Sequence, residues 1–139
     1  MTSLKHLFHI NASREKVFQS ISTIAGLAGW WTEQTSGDPS VNGVIEFRFG
    51  PQWFNKMKVK EIQPNKSVTW ECVGGADEWM GTIFTFSLDE NEGKTRVRFE
   101  QAGWAAATDF YAQCNFSWGR YMESLRKLCE TGKGEPFKA

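Results

Sequence analysis

From Thr108 to Thr131 apolar side chains return every three or four residues. Tyr111, Cys114, Trp118, Met122, Leu125 and Cys129 form one stripe, and Phe110, Tyr121 and Leu128 widen it. That is the period of a helix face, and a stripe so long and apolar predicts a helix laid against a partner surface. Upstream the period changes to two. Ile45, Phe47 and Phe49 fall on one face with Glu46 and Arg48 on the other, and Met57 and Val59 alternate with Lys56, Lys58 and Lys60. Val68, Trp70 and Cys72, then Phe84, Phe86 and Leu88, then Val97 and Phe99 repeat the alternation. Five such runs, separated by Gly50-Pro51, Pro64-Asn65-Lys66, Gly74-Gly75-Ala76-Asp77 and Asn91-Glu92-Gly93, predict a meander of antiparallel strands with one covered face. Glu61 breaks the pattern, because alternation from Met57 and Val59 points it inward; a bulge that resets the strand is the simplest remedy, a place at a cavity rim the other.

Before the meander, Leu4 to Ile10 reads as a first strand, with His6, Phe8 and Ile10 on one face. Ser13 is a good N-cap for a helix through Ile21, and a second short helix is expected over Ile24 to Trp31 despite Gly26 and Gly29. The connection TEQTSGDPSVNG, ending at Asn42-Gly43, reads as turns. Gly132 is placed to cap the last helix, and a short Gly/Pro-punctuated tail follows. The order β-α-α-β-β-β-β-β-α predicts an α+β domain, one unit over residues 1–139, with a curved antiparallel sheet wrapped on a long C-terminal helix.

Charge narrows the functions. Sixteen basic residues balance sixteen acidic ones, and no basic run stands out, so nucleic acid is an unfavoured partner. Neither a leader-like apolar segment nor a membrane-length one is present, so a cytoplasmic protein without membrane insertion is expected. Cys72, Cys114 and Cys129 are scattered, with no histidine at ligand spacing, which predicts buried free thiols and neither a metal nor a cofactor.

The segment Ile10-Asn11-Ala12-Ser13-Arg14-Glu15-Lys16-Val17-Phe18, the pair Trp30-Trp31, the strand entry Gly93-Lys94-Thr95-Arg96-Val97, and Ser117-Trp118-Gly119 with Leu125 and Thr131-Gly132 together resemble the START-like (SRPBCC) superfamily. Within it the chain is most similar to the branch of the carboxy-terminal domain of the heat-shock-chaperone ATPase activator. The resemblance covers nearly the whole chain. It implies the helix-grip fold, and it implies function weakly, because the matched positions are packing residues and the superfamily uses one shell for ligand carriage, cyclisation and chaperone contacts. Its members often pair, so a homodimer is a further expectation.

Seven tryptophans and eleven phenylalanines are a heavy load for 139 residues. On a concave sheet such rings either fill the interior or leave a hollow suited to a small apolar or amphipathic molecule; the resemblance favours the hollow. Its expected lining is Phe47, Phe49, Trp70, Cys72, Thr82, Phe84, Phe86 and Phe99 from the sheet, with Trp31 and Trp104 at its ends. Tyr111, Cys114, Asn115 and Trp118 are expected to face it from the helix. Thr82, Gln101, His6 and Asn115 are the polar groups that share those faces. Trp104, among small residues, is either a gate or a plug. No residue is assigned a catalytic role, although convergence of Cys72, Cys114 and His6 would argue for a hydrolase or a polyketide-cyclase-like enzyme in the same cavity. The remaining alternative is a chaperone-regulating interaction module; the activator's additional amino-terminal domain has no counterpart in this sequence, which weighs against it.

Overall fold

The computed structural model describes residues 2–139. Seven antiparallel strands form one sheet in the order β1-β7-β6-β5-β4-β3-β2. They are β1 (Thr2–Ile10), β2 (Gln34–Gly37), β3 (Val44–Arg48), β4 (Phe54–Gln63), β5 (Ser67–Gly74), β6 (Ile83–Asn91) and β7 (Lys94–Trp104). Helices α1 (Arg14–Ser22) and α2 (Ile24–Trp30) follow β1, and α3 (Asp109–Thr131) closes the chain against the concave face. This is the α+β helix-grip fold, with one strand more than the sequence pattern predicts. The addition is β2, in the stretch read as turns. Its four residues are mostly exposed and carry no alternation, so only pairing with β3, Thr35 opposite Phe47 and Gly37 opposite Ile45, makes them a strand.

Local signals set the boundaries. Ser13, Thr23 and Thr108 each accept a hydrogen bond from the backbone N–H three residues on, at 3.1, 3.0 and 3.2 Å, and so cap the three helices. Gly132, at φ 87°, ends α3 in the left-handed conformation that costs glycine least. The bulge expected at Glu61 is present: the β4–β5 register shifts between Val59 and Glu61, which leaves Glu61 exposed and returns Ile62 towards the core.

The alternating faces pack as predicted. Phe47, Trp70, Phe84, Phe86 and Phe99 are fully buried, and Trp30, Leu125 and Val17 close over them from the helices. Their rings interlock at 5.0 to 6.3 Å between centroids across β5, β6 and β7, mostly tilted or edge-on, the orientations that ring quadrupoles prefer. Beyond α3 the tail turns back. Phe137 donates its N–H to the Trp31 carbonyl at 2.9 Å and accepts from the Glu33 N–H at 3.1 Å, so the tail runs as a short parallel bridge beside Thr32. The Ser124 hydroxyl bonds the Trp30 carbonyl and accepts from the Glu135 N–H, which ties α2, α3 and the tail at one point.

Candidate functional site: an aromatic cleft at the end of the grip

The aromatic side chains between sheet and α3 are buried against one another, and a cleft opens beside them. A cleft of about 430 Å³ opens between the N-terminal half of α3, the Trp30-Trp31 corner and two loops. Helix α3 contributes Phe110, Gln113, Cys114, Ser117, Trp118 and Tyr121, the three- and four-residue spacing of one face. Trp31 and Phe49 form the far wall, and Phe49 is backed by Phe137 of the tail at 5.5 Å. Trp53, in the β3–β4 connection, stands 44% exposed at the mouth with its ring 6.0 Å from Phe110. Asn55 and Trp79 complete the lining. Trp79 reaches it from a single 3-10 turn, Asp77–Trp79, in the β5–β6 loop.

Of the fourteen side chains expected to contact a ligand, the cleft brings together Trp31, Phe49, Cys114 and Trp118. Phe47, Trp70, Phe84, Phe86 and Phe99 are the packed floor behind it. Cys72 is buried and donates to the Gly74 carbonyl at 3.3 Å. Trp104 is fully buried, with Tyr111 edge-on at 5.1 Å, so it is a plug under the start of α3; Tyr111 itself bonds the Ser3 carbonyl. Asn115 lies on the exposed side of α3, because the stripe that meets the core passes through 114 and 118 and carries 115 past its edge. Trp53, Asn55, Trp79 and Gln113 escaped the sequence reading. Trp53 and Trp79 sit in connections, where no period marks an inward face; Asn55 is in phase with Met57 and Val59 on β4, and that alternation could have found it.

Two of the expected polar groups are committed to structure. The Trp118 indole donates to Gln101 Oε1 at 3.2 Å, Gln101 Nε2 donates to Thr82 Oγ1 at 3.1 Å, and the Thr82 hydroxyl donates to the Trp79 carbonyl at 2.6 Å. This chain of bonds fixes the Trp118 ring and the Trp79 loop together, and holds Thr82 and Gln101, both fully buried, outside the cleft lining. Among the described residues no hydrogen bond joins Cys72, Cys114 and His6; His6 Nε2 is buried without a partner beside Phe99 and Gly119. Burial pushes the Cys72 and Cys114 thiols up, and at Cys114 the nearby Trp79 indole opposes that rise while Glu78 adds to it. Neither is a thiolate near neutral pH, so the arrangement does not form an activated nucleophile.

A larger groove of about 660 Å³ runs along the outside of α3 against the tail. Its walls are charged, and Lys127 and Glu135 pair with each other across it. The aromatic cleft is the better candidate because it holds buried polar groups that nothing satisfies.

The family described as Activator of Hsp90 ATPase homolog 1-like protein matches residues 11–130. The chain belongs to this family. Its fold follows that of the Aha1 dimer from Colwellia psychrerythraea, solved in solution, with 39% sequence identity, a TM-score of 0.88, and coverage of 96% of this chain and 100% of that one. A crystal structure of a Mesorhizobium loti protein, 18% identical with a TM-score of 0.79, covers 91% of this chain and 96% of its own. DynU16, a putative protein in the dynemicin biosynthetic locus, is 15% identical with a TM-score of 0.76, over 95% of this chain and 48% of that one. These last two share the fold. No curated protein matches the chain. Among the described residues no helix is long and apolar enough to cross a membrane, and no group of three or more His, Cys, Asp or Glu is placed to hold a metal ion.

Proposed function

We propose that this member of the Aha1-like family binds a small apolar or amphipathic molecule, and that the binding site is the cleft between Trp31, Trp79 and Trp118 in place of the packed interior. The observation that carries the reading is the coincidence of an open, aromatic-walled space of about 430 Å³ with unpartnered buried polar atoms, on Asn55 and Trp79, in its lining. Small-molecule sites are of this size and makeup, roughly 300–1,000 Å³ and mainly apolar with a few polar groups. The predominance of aromatic rings in the lining supports binding or carriage as the role.

Filling the cleft tests this. Cys114 sits on its α3 wall between Phe110 and Trp118, and Cys114→Trp places an indole in the space. An indole there removes roughly 100 Å² of ligand contact, about 2.5 kcal/mol at about 25 cal/mol per Å², or close to two decades of affinity. Quenching of tryptophan fluorescence by 2-ethylnaphthalene should show binding to the native chain and a loss of about that size in the variant, with the circular dichroism spectrum unchanged. A native chain that does not bind the hydrocarbon, or a variant that binds it equally well, sinks the reading.

Among the described residues the exposed large apolar side chains sit on different strands, loops and α3. A second copy has one specific observation in its favour. Phe116, 71% exposed on the outer side of α3, is the most exposed of the large apolar side chains among the described residues, and the 39%-identical Colwellia protein is a dimer. Sedimentation should then show a dimer that Phe116→Glu converts to monomer; a monomeric native chain rules the pairing out.

A further inference from the structure

We propose that the cleft selects an uncharged, flat aromatic molecule bearing a carbonyl-type acceptor, which the Trp79 indole N–H engages, with the Asn55 amide supplying the second polar contact. The inference rests on the cleft being the binding site and names what the site would choose. Trp79 differs from the core tryptophans whose indoles are paired, and unlike Trp104 it lines the cleft. The Trp30 indole donates to the Ser20 carbonyl at 2.8 Å and the Trp118 indole to Gln101 at 3.2 Å. Trp79, only 6% exposed, has no acceptor for its Nε1. Its neighbour is the Cys114 thiol, a weak acceptor on the cleft wall, so a stronger oxygen acceptor entering beside Cys114 would compete with the sulfur for that N–H. A buried donor left unmade destabilises a fold, and native chains leave few of them without a use.

Asn55 repeats the pattern from the opposite side. It is 1% exposed and its Oδ1 has no partner, yet the residue lines the cleft. It fits only because residue 75 is glycine: a Cβ there would come within 2.6 Å of Asn55 Oδ1 and 2.7 Å of the Phe54 carbonyl. A side-chain amide carries both donors and acceptors, so it complements a hydroxyl, an N–H or a second carbonyl on the same ligand. The two other unpartnered groups, on His6 and Trp104, lie outside the cleft lining.

The rest of the lining sets charge and shape. It contains no Asp, Glu, Lys, Arg or His, and burial pushes both Cys114 and Tyr121 up, so the wall is neutral at neutral pH. A carboxylate or an ammonium entering it would shed water and find no countercharge. The Trp79 ring is nearly parallel to Trp118, at 17° and 6.0 Å, and to Trp31, at 24° and 6.5 Å, which presents aligned flat surfaces to a planar guest.

Three naphthalenes of equal ring size separate these features. On the native chain 2-acetylnaphthalene should bind about five- to tenfold more tightly than 2-ethylnaphthalene, the worth of one net hydrogen bond in a desolvated site, and 2-naphthoate should bind less tightly than the ketone. Trp79→Phe should abolish the ketone's advantage while the hydrocarbon still binds. Because that ring also packs in the core, a readout on the native chain stands beside it: the Trp79 indole N–H resonance should move downfield on adding the ketone and stay in place with the hydrocarbon. Equal affinities for the two neutral probes, an advantage that survives Trp79→Phe, a carboxylate bound as well as the ketone, or an unmoved indole resonance would each overturn the proposal. Binding of 2-ethylnaphthalene in those same experiments leaves the cleft standing as an apolar site, and its failure to bind condemns both readings.

Discussion

Trp118→Ala is expected to cost about 5 kcal/mol or more, a large part of the roughly 5–15 kcal/mol that holds a domain of this size folded. Trp118 is where the helix grips the sheet. Its ring lies 4.5 Å from Phe99, 4.9 Å from Trp31, 5.8 Å from Phe84 and 6.0 Å from Trp79, so truncation opens a void bordered by four rings that are themselves held by other neighbours. Collapse of the void is limited by that rigidity, and a Trp→Ala change of this kind costs about 3–5 kcal/mol from packing alone. Removing the indole also leaves Gln101 Oε1 buried without a donor, a further penalty of about 1–3 kcal/mol. Urea unfolding measures the sum. Trp118→Phe separates the two parts, since it keeps most of the ring contacts and loses the N–H, and should cost about half as much. A loss below about 2 kcal/mol for Trp118→Ala would mean that the cluster repacks freely, and the rigid floor assigned to the cleft would go with it.

Such a floor explains which parts of the molecule its sequence announces. Phe47, Trp70, Phe84, Phe86 and Phe99 were legible as inner-face residues because a strand's alternation reports the face a side chain takes. Alternation does not report depth. The same five residues were expected to line a hollow; they are buried against one another, and the open cleft lies beside them. Of the residues that matter there, Trp53 and Trp79 come from connections whose conformation depends on contacts distant in sequence, and Asn55 from the start of β4. The Trp79 turn is held by the Thr82 hydroxyl on its carbonyl, and Asn55 by the gap at Gly75. Helix ends were easier, since Ser13 and Gly132 act within one turn of themselves. The Glu61 bulge was legible for the opposite reason to the cleft: a carboxylate in the wrong phase is a local contradiction that only a register shift removes.

The Trp31 wall of the cleft depends on how two short helices cross, and two glycines of α2 should respond to alanine in opposite ways. At Gly26 a Cβ would stand 2.6 Å from both the Gln19 carbonyl oxygen and the Ser20 Cα, which are backbone atoms of α1. Nothing there can rotate aside, so Gly26→Ala must push α2 away from α1. Overpacking against backbone costs about 1–3 kcal/mol and sometimes more, against a gain in helix propensity of about 0.8–1 kcal/mol; with backbone as the obstacle the cost falls at the upper end, so a net loss of about 1–2 kcal/mol is expected. At Gly29 the obstacle is the Leu128 side chain, with Cδ2 at 3.0 Å, and a leucine tip can turn. Gly29→Ala should therefore lie within about 1 kcal/mol of the native chain, with propensity offsetting the crowding. Thermal unfolding of the pair measures the contrast. The functional consequence follows from the same joint. The Trp30 indole is pinned to the Ser20 carbonyl, and Trp31, next in the chain, lies 4.9 Å from Trp118 across the cleft. Parting α1 from α2 moves that pin, so Gly26→Ala should weaken 2-ethylnaphthalene binding as well as stability, whereas Gly29→Ala should leave binding intact. If Gly26→Ala lowers stability and the hydrocarbon binds as before, the helix crossing does not position Trp31, and the cleft's shape must be set by the sheet and α3 alone.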